Sequence, residues 1–163
     1  MAEIKLARVD FRLIHGQVIA RWLKQIEANR IIIIDDLLSK DPFMSQVYVM
    51  AAPAGVNVEI ISTDEAAAAW KSNELGNGNL LILFKRVKSA FEAQQKGFPI
   101  HTLQIGGLGA DVGRKVVHNQ ITLDKADAEK LQKISENGTK VIFQTVPEEK
   151  FGSLDKILKK MKE

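Results

Sequence analysis

"RIIIID", residues 30–35, decides the fold. Side chains alternate between the two faces of a strand, so four consecutive isoleucines suit a strand covered on both sides rather than one half-exposed in an antiparallel sheet. "LLILF" at 80–84 repeats the pattern, and the two runs read as central parallel strands. Working outward, β-rich runs recur at "IKLARV" (4–9), "VNVEII" (56–61), "HTLQI" (101–105), "NQITL" (119–123) and "KVIFQTV" (140–146), alternating with stretches of helical spacing. The expectation is an α/β fold: a single domain with a mostly parallel central sheet of about seven strands and helices on both faces.

Start and stop signals bracket the helices. Residues 39–53 offer Ser39 or Asp41 as N-cap, Pro42 near the start and Pro53 as the stop. Residues 62–79 open on Ser62, Thr63 and Asp64 and close in Gly and Asn, residues 86–99 close on Gly97 and Pro99, and residues 124–138 run from Asp124 to Gly138. A further helix follows His15 through "QVIARWLKQIEA", and "PEEKFGSLDKILKKMKE" ends the chain as a helix broken near Gly152. No repeat, low-complexity tract or linker intervenes, so residues 1–163 read as one domain.

A chain of 163 residues with 45% hydrophobic content can bury a real core, covering roughly two-thirds of its unfolded surface. It has no cysteine, which excludes disulfides and thiolate metal sites. The start, "MAEIKLARVD", lacks a signal-peptide core, and no run reaches the roughly 18 apolar residues of a membrane span, so a cytoplasmic protein is expected. The net charge of +3 is mild and aromatics are few, which argues against nucleic-acid binding.

In open α/β sheets ligands gather beyond the carboxyl ends of the strands, here residues 8–16 and 106–118. In "RVDFRLIHGQV" (8–18), His15 falls at the entry to a helix, where free N–H groups favour an anion. A neutral imidazole is a nucleophile near pH 7, and phosphoryl transfer to it needs cations and N–H donors around the transferred oxygens. Arg8 and Arg12 supply charge, with Arg12 as the direct contact. Asp10 accepts from the other ring nitrogen, and Gly16 lets the backbone approach a phosphate. Read singly, each has a plain structural role as a cap or salt-bridge partner; together they mark an anion or phosphate site.

"RVDFRLIHGQVIARW" resembles the active-site loop of the IIB components of the mannose/fructose/sorbose family of the bacterial phosphoenolpyruvate-dependent sugar phosphotransferase system, usually R-[IV]-D-D-R-[LF]-I-H-G-Q-V-x-x-x-W. "RIIIIDDLLSKDPF", "AAPAGVNVEIIS", "KGFPIHTLQIGGLG", "QITLDKAD" and "VIFQTVPEEK" also fall in family-like order. The resemblance implies a phosphocarrier. His15 accepts a phosphoryl group from the phosphohistidine of a IIA partner and passes it to a hexose-type sugar entering through the membrane subunits IIC and IID. Arg8, Asp10 and Arg12 match the motif's charged residues, and Gly16 and Gln17 its Gly-Gln. No metal or diffusible cofactor is implied, only peripheral association with the membrane through IIC and IID. Monomer and homodimer are both compatible with this reading. Phe11 stands where the family usually has a carboxylate, and it is the one feature favouring the alternative, a noncatalytic phosphate- or nucleotide-sensing IIB-like module.

"QIGGLGADVGRK" is a second loop, whose Gly107-x-Gly109-x-x-x-Gly113 spacing is a weak match to a dinucleotide fingerprint and comes too late in the chain for one. Either Gly106, Gly107 and Gly109 leave room for phosphate or sugar while Lys115 adds charge, or the segment is a plain flexible loop. His101 and His118 read as satisfied or solvent-facing, and Trp22 and Trp70 as core or interface anchors. No metal-ligand spacing is present.

Overall fold

The computed structural model describes residues 1–163. In chain order the elements are β1 (Glu3–Asp10), α1 (Gly16–Ile26), β2 (Arg30–Ile34), a 3-10 turn (Leu38–Lys40), α2 (Pro42–Met50), β3 (Asn57–Ile61), α3 (Thr63–Lys71) and β4 (Asn79–Phe84). Then follow α4 (Val87–Gln95), β5 (Thr102–Gly107), β6 (Lys115–His118), β7 (Ile121–Leu123), α5 (Lys125–Glu136), β8 (Lys140–Phe143), β9 (Gly152–Ser153) and α6 (Leu154–Met161). Seven strands form one sheet in the order β3-β2-β4-β1-β5-β8-β9, parallel throughout except where β9 pairs antiparallel with β8.

The isoleucine run divides between two cores. Ile31 and Ile33 pack with Leu81, Leu83 and α1 residues Ile19 and Leu23 on one face. Ile32 and Ile34 pack with Leu80, Ile82, Phe84 and residues of α3, α4, α5 and α6 on the other. All four isoleucines are at most 1% exposed, and each such burial contributes about 1.5–3 kcal/mol relative to exposure.

The caps explain the helix starts. Asp41, rather than Ser39, takes the Met44 N–H at 3.0 Å to begin α2, while Ser62 and Glu65 form a reciprocal capping box at α3. Asp124 accepts the Asp127 N–H at 2.7 Å to begin α5.

Two expected elements fall differently. "NQITL" does not join the central sheet: residues 108–120 hold no crossover helix but include β6, with which β7 pairs antiparallel as a separate hairpin, and β7 meets the chain beyond β5 only through an isolated parallel bridge between Leu108 and Ile121. The seventh central strand is instead the two-residue β9, and the last helix begins only at Leu154, capped by Ser153.

From β1 the chain leaves toward β2 and β3 through α1 and α2 on one face, whereas from β5 it leaves toward β8. The crevice at the carboxyl ends of β1 and β5 is therefore a topological switch point.

Candidate active site

Arg8 and Asp10, two residues apart on β1, face the side covered by α1, and both side chains are fully buried. Asp10 ends the strand, and the chain turns over it with the Leu13 N–H donating to the Asp10 carbonyl at 3.0 Å. The turn holds buried Leu13 at φ +56° and Gly16 at φ +46°, left-handed conformations that a bulky side chain adopts only where the surroundings enforce them. A Cβ on Gly16 would meet open space, so its glycine requirement is conformational. His15 thus becomes the residue before α1, with extended backbone and a side chain that makes no cap bond. The first turn of α1 carries no acidic residue, so its N–H groups and dipole remain open to an anion.

Asp10 is the hub. Its Oδ1 accepts from the Arg12 backbone N–H at 3.1 Å and from Arg12 Nε at 3.1 Å. Its Oδ2 accepts from Arg8 Nη2 at 3.2 Å, from Arg12 Nη2 at 3.3 Å and, at 3.1 Å, from His15 Nε2. A carboxylate is an acceptor only, so this contact places the ring proton on Nε2 and leaves Nδ1 with its lone pair free. Burial pushes the Asp10 carboxyl up, but the hydrogen bonds from Arg12 and the charges of Arg8 and His15 outweigh it and hold the group below the usual carboxylate range. Burial likewise pushes the His15 imidazolium down; Asp10 opposes, Arg12 and Arg8 reinforce, and the net shift is below the ordinary histidine value. At neutral pH the ring is therefore a neutral nucleophile, 19% exposed at the rim of the crevice.

The two arginines divide the work. Arg12 is 31% exposed and its Nη1 bonds to no protein group, so it retains a donor for a ligand. Arg8 lies beneath, with no exposed surface. Its Nη1 donates to Gln104 Oε1 and, at 3.1 Å, to the Gln144 carbonyl, while its Nη2 donates to Asp10 and, at 2.9 Å, to the Thr145 carbonyl. Arg8 thus supplies its charge from beneath, to Asp10, with both Nη atoms bonded inside the protein and only its buried Nε without a partner. Gln17 is exposed on the first turn of α1.

The second loop serves the charged cluster. β1 and β5 slip register between Val9↔Ile105 and Asp10↔Gly107, which leaves Gly106 as an extra residue. A Cβ on Gly106 would stand 2.0 Å from Arg8 Cζ, and one on Gly107 would stand 2.9 Å from Arg12 Nη2 and 3.0 Å from Asp10 Oδ1. These glycines leave room for the arginines and Asp10, not for phosphate or sugar. Gly109 passes under the Phe11 ring, where a Cβ would lie 3.2 Å from the ring edge. Lys115 is not at the site: its Nζ donates to the Lys160 and Glu163 carbonyls at the end of α6, at 2.6 and 2.8 Å. Phe11 points outward, 40% exposed, with the Arg12 guanidinium 5.5 Å from its ring centre.

Two residues at the site were not singled out from the sequence. Gln104, 1% exposed, was detectable as the one amide inside the apolar strand "TLQIGG". Glu149 carries no local signal, because its partners, His118 and Thr145, meet it only in the fold. Trp22 was read as a core or interface anchor; at 5% exposed it is core, and its indole also lies against Arg8.

No helix is long and apolar enough to cross a membrane. Residues 4–163 match the family described as the PTS system sorbose subfamily IIB component. The chain is 32% identical over 156 residues to the sorbose-specific EIIB component of Klebsiella pneumoniae, covering 95% of each. It is 27% identical over 143 residues to the mannose-specific EIIAB component of Escherichia coli K12, matching 44% of that longer protein. The crystal structure of manxB from Thermoanaerobacter tengcongensis superposes with TM-score 0.90 at 34% identity, over 98% of this chain and 97% of that one. Sequence, relatives and fold agree, and the chain belongs to the mannose/fructose/sorbose family of PTS IIB components.

Proposed function

We propose that His15 is the transient phosphoryl acceptor of a sugar phosphotransferase system, reacting through Nδ1. The observation that carries this reading is the Asp10–His15 contact at 3.1 Å, which occupies Nε2 and leaves Nδ1 as the nucleophile beside Arg12 and the N-terminus of α1. Membership of the IIB family assigns a sugar phosphotransferase role broadly, and the name EIIAB of the mannose-specific relative joins an A to a B component. The donor in this reading is the phosphohistidine of a IIA partner.

In the first step the Nδ1 lone pair attacks phosphorus, the N–P bond to the donor histidine breaks, and a new N–P bond forms on His15. The neutral ring needs no base, since its only proton stays on Nε2 against Asp10. Arg12 Nη1 and the free N–H groups of α1 stabilise the transferred oxygens, whose charge is spread in the transition state. In the second step a hydroxyl of a hexose-type sugar presented by IIC and IID attacks, the His15 N–P bond breaks, an O–P bond forms and the hydroxyl proton leaves to solvent. IIC and IID thereby bring the protein to the inner membrane face.

The test is incubation with phosphoenolpyruvate, the general phosphotransferase proteins and a IIA protein, followed by mass spectrometry that preserves phosphohistidine. A label on His15, absent in His15→Ala and discharged by IIC/IID membranes with sugar, supports the carrier. Label retained in His15→Ala moves the acceptor elsewhere, and anion binding without any label supports a sensing module.

A further inference from the structure

We propose that Trp22 and Glu149 are positioning residues for transfer at His15. They fix the Gln144 and Thr145 carbonyls that hold the buried Arg8 guanidinium and, through Arg8, set Asp10 and the His15 ring. The inference rests on His15 being the acceptor.

Two of the four acceptors of Arg8 are backbone carbonyls in the connection between β8 and β9, a segment outside regular structure. Left to itself such a connection is mobile and would place these carbonyls poorly. Here the Thr145 peptide is held from both sides. Its N–H donates to Glu149 Oε2 at 2.9 Å, and its carbonyl accepts from Trp22 Nε1 at 3.0 Å as well as from Arg8. The Gln144 side chain closes the same turn: its Nε2 donates to the Glu149 carbonyl at 2.8 Å, and its Oε1 accepts from Gln104 Nε2 at 3.1 Å. The other oxygen of Glu149 is anchored to the β6–β7 hairpin by His118 and by Asn119 Nδ2. The Trp22 ring also lies 5.5 Å from Arg8 Cζ.

Neither residue touches the reacting nitrogen, yet Trp22 stands two contacts and Glu149 three contacts from Asp10 Oδ2, the atom that Arg8, Arg12 and His15 share. If the turn loosens, Arg8 loses fixed acceptors and draws on Asp10 differently, and the oxygen that selects the Nε2–H tautomer moves.

The test compares Trp22→Phe, which deletes the N–H donor and keeps a ring against Arg8, with Glu149→Ala and Glu149→Gln, the last retaining an oxygen for Thr145 N–H. Two quantities are read in the full chain: the 15N shifts of the His15 ring, which report the tautomer, and the single-turnover rate from phospho-IIA. Expected is a loss of Nε2–H tautomer and a rate about 10- to 100-fold lower in Trp22→Phe and Glu149→Ala, with IIA affinity unchanged and Glu149→Gln partly rescued. A core variant on the other face of the sheet, Ile134→Ala near the end of α5, is expected to leave the tautomer as in the wild type even though it lowers stability. Should Glu149→Ala not fold cooperatively, Trp22→Phe and Glu149→Gln decide. Wild-type tautomer and rate in folded variants overturn the proposal, as does a change confined to IIA affinity or an equal tautomer shift in Ile134→Ala. A wild-type chain that takes no label on His15 overturns the carrier reading instead, while the NMR comparison still reads the clamp.

Discussion

Arg12 and Arg8 carry the same charge to the same carboxylate, but only Arg12 keeps a free nitrogen at the surface. Arg12→Ala is therefore expected to slow single-turnover transfer onto His15 by about 10²–10³, the usual cost of one preorganised donor to a developing charge; quench-flow measurement of the label checks this. Asp10→Asn acts on stability, because it leaves the fully buried Arg8 without its counter-charge. A loss of about 3–5 kcal/mol in urea unfolding is expected, as for breaking a buried ion pair from one side. Phe11→Asp puts a carboxylate beside Arg12, where it competes with the incoming phosphoryl group. Slower transfer at nearly constant Tm is expected, and identical rates would mark Phe11 as a neutral departure. The charged quartet was legible because it lies within eight residues of one another. The buried role of Arg8 was not, since the groups that enclose it, Gln104, Gln144 and Thr145, come roughly 100 or more residues later.

β2 shows what an element's pattern can and cannot reveal. Its isoleucines announced a strand covered on both faces, and the structure divides them between two cores. Ile33→Ala is expected to cost about 2–5 kcal/mol, read as a lower urea midpoint at constant slope. The parallel strands and helix caps were legible for the same reason: period and capping chemistry are local. β7 was misplaced because its composition suits either sheet, and the choice depended on its antiparallel pairing with β6, which only the fold shows. β9 was invisible, being two residues whose only strand character is their pairing with Ile142 and Phe143. The bulge at Gly106 could not be read either, although Arg8 requires it: Gly106→Ala drives a Cβ into the guanidinium and is expected to abolish transfer along with part of the stability, seen together in activity and melting assays.

The molecule as a whole should weaken as it is acidified, in two stages. His15 is held below its ordinary value in the fold, so the unfolded chain takes up that proton first and stability begins to fall as pH drops through about 6.5. Asp10 is also held below its ordinary value, so its stabilisation is fully present above the unfolded carboxylate pKa and is lost as pH falls through the lower folded value. Urea midpoints measured across pH should show both stages, and His15→Ala should remove the first. The central position of β1 has a further consequence for biosynthesis. β1 leaves the ribosome before both its neighbours, β4, which ends at Phe84, and β5, which ends at Gly107. At about 5–20 residues per second, the nascent chain carries β1 without a partner strand for roughly 4–15 s before β4 has emerged, so the strand that leads into the His15 turn is long open to a ribosome-associated chaperone.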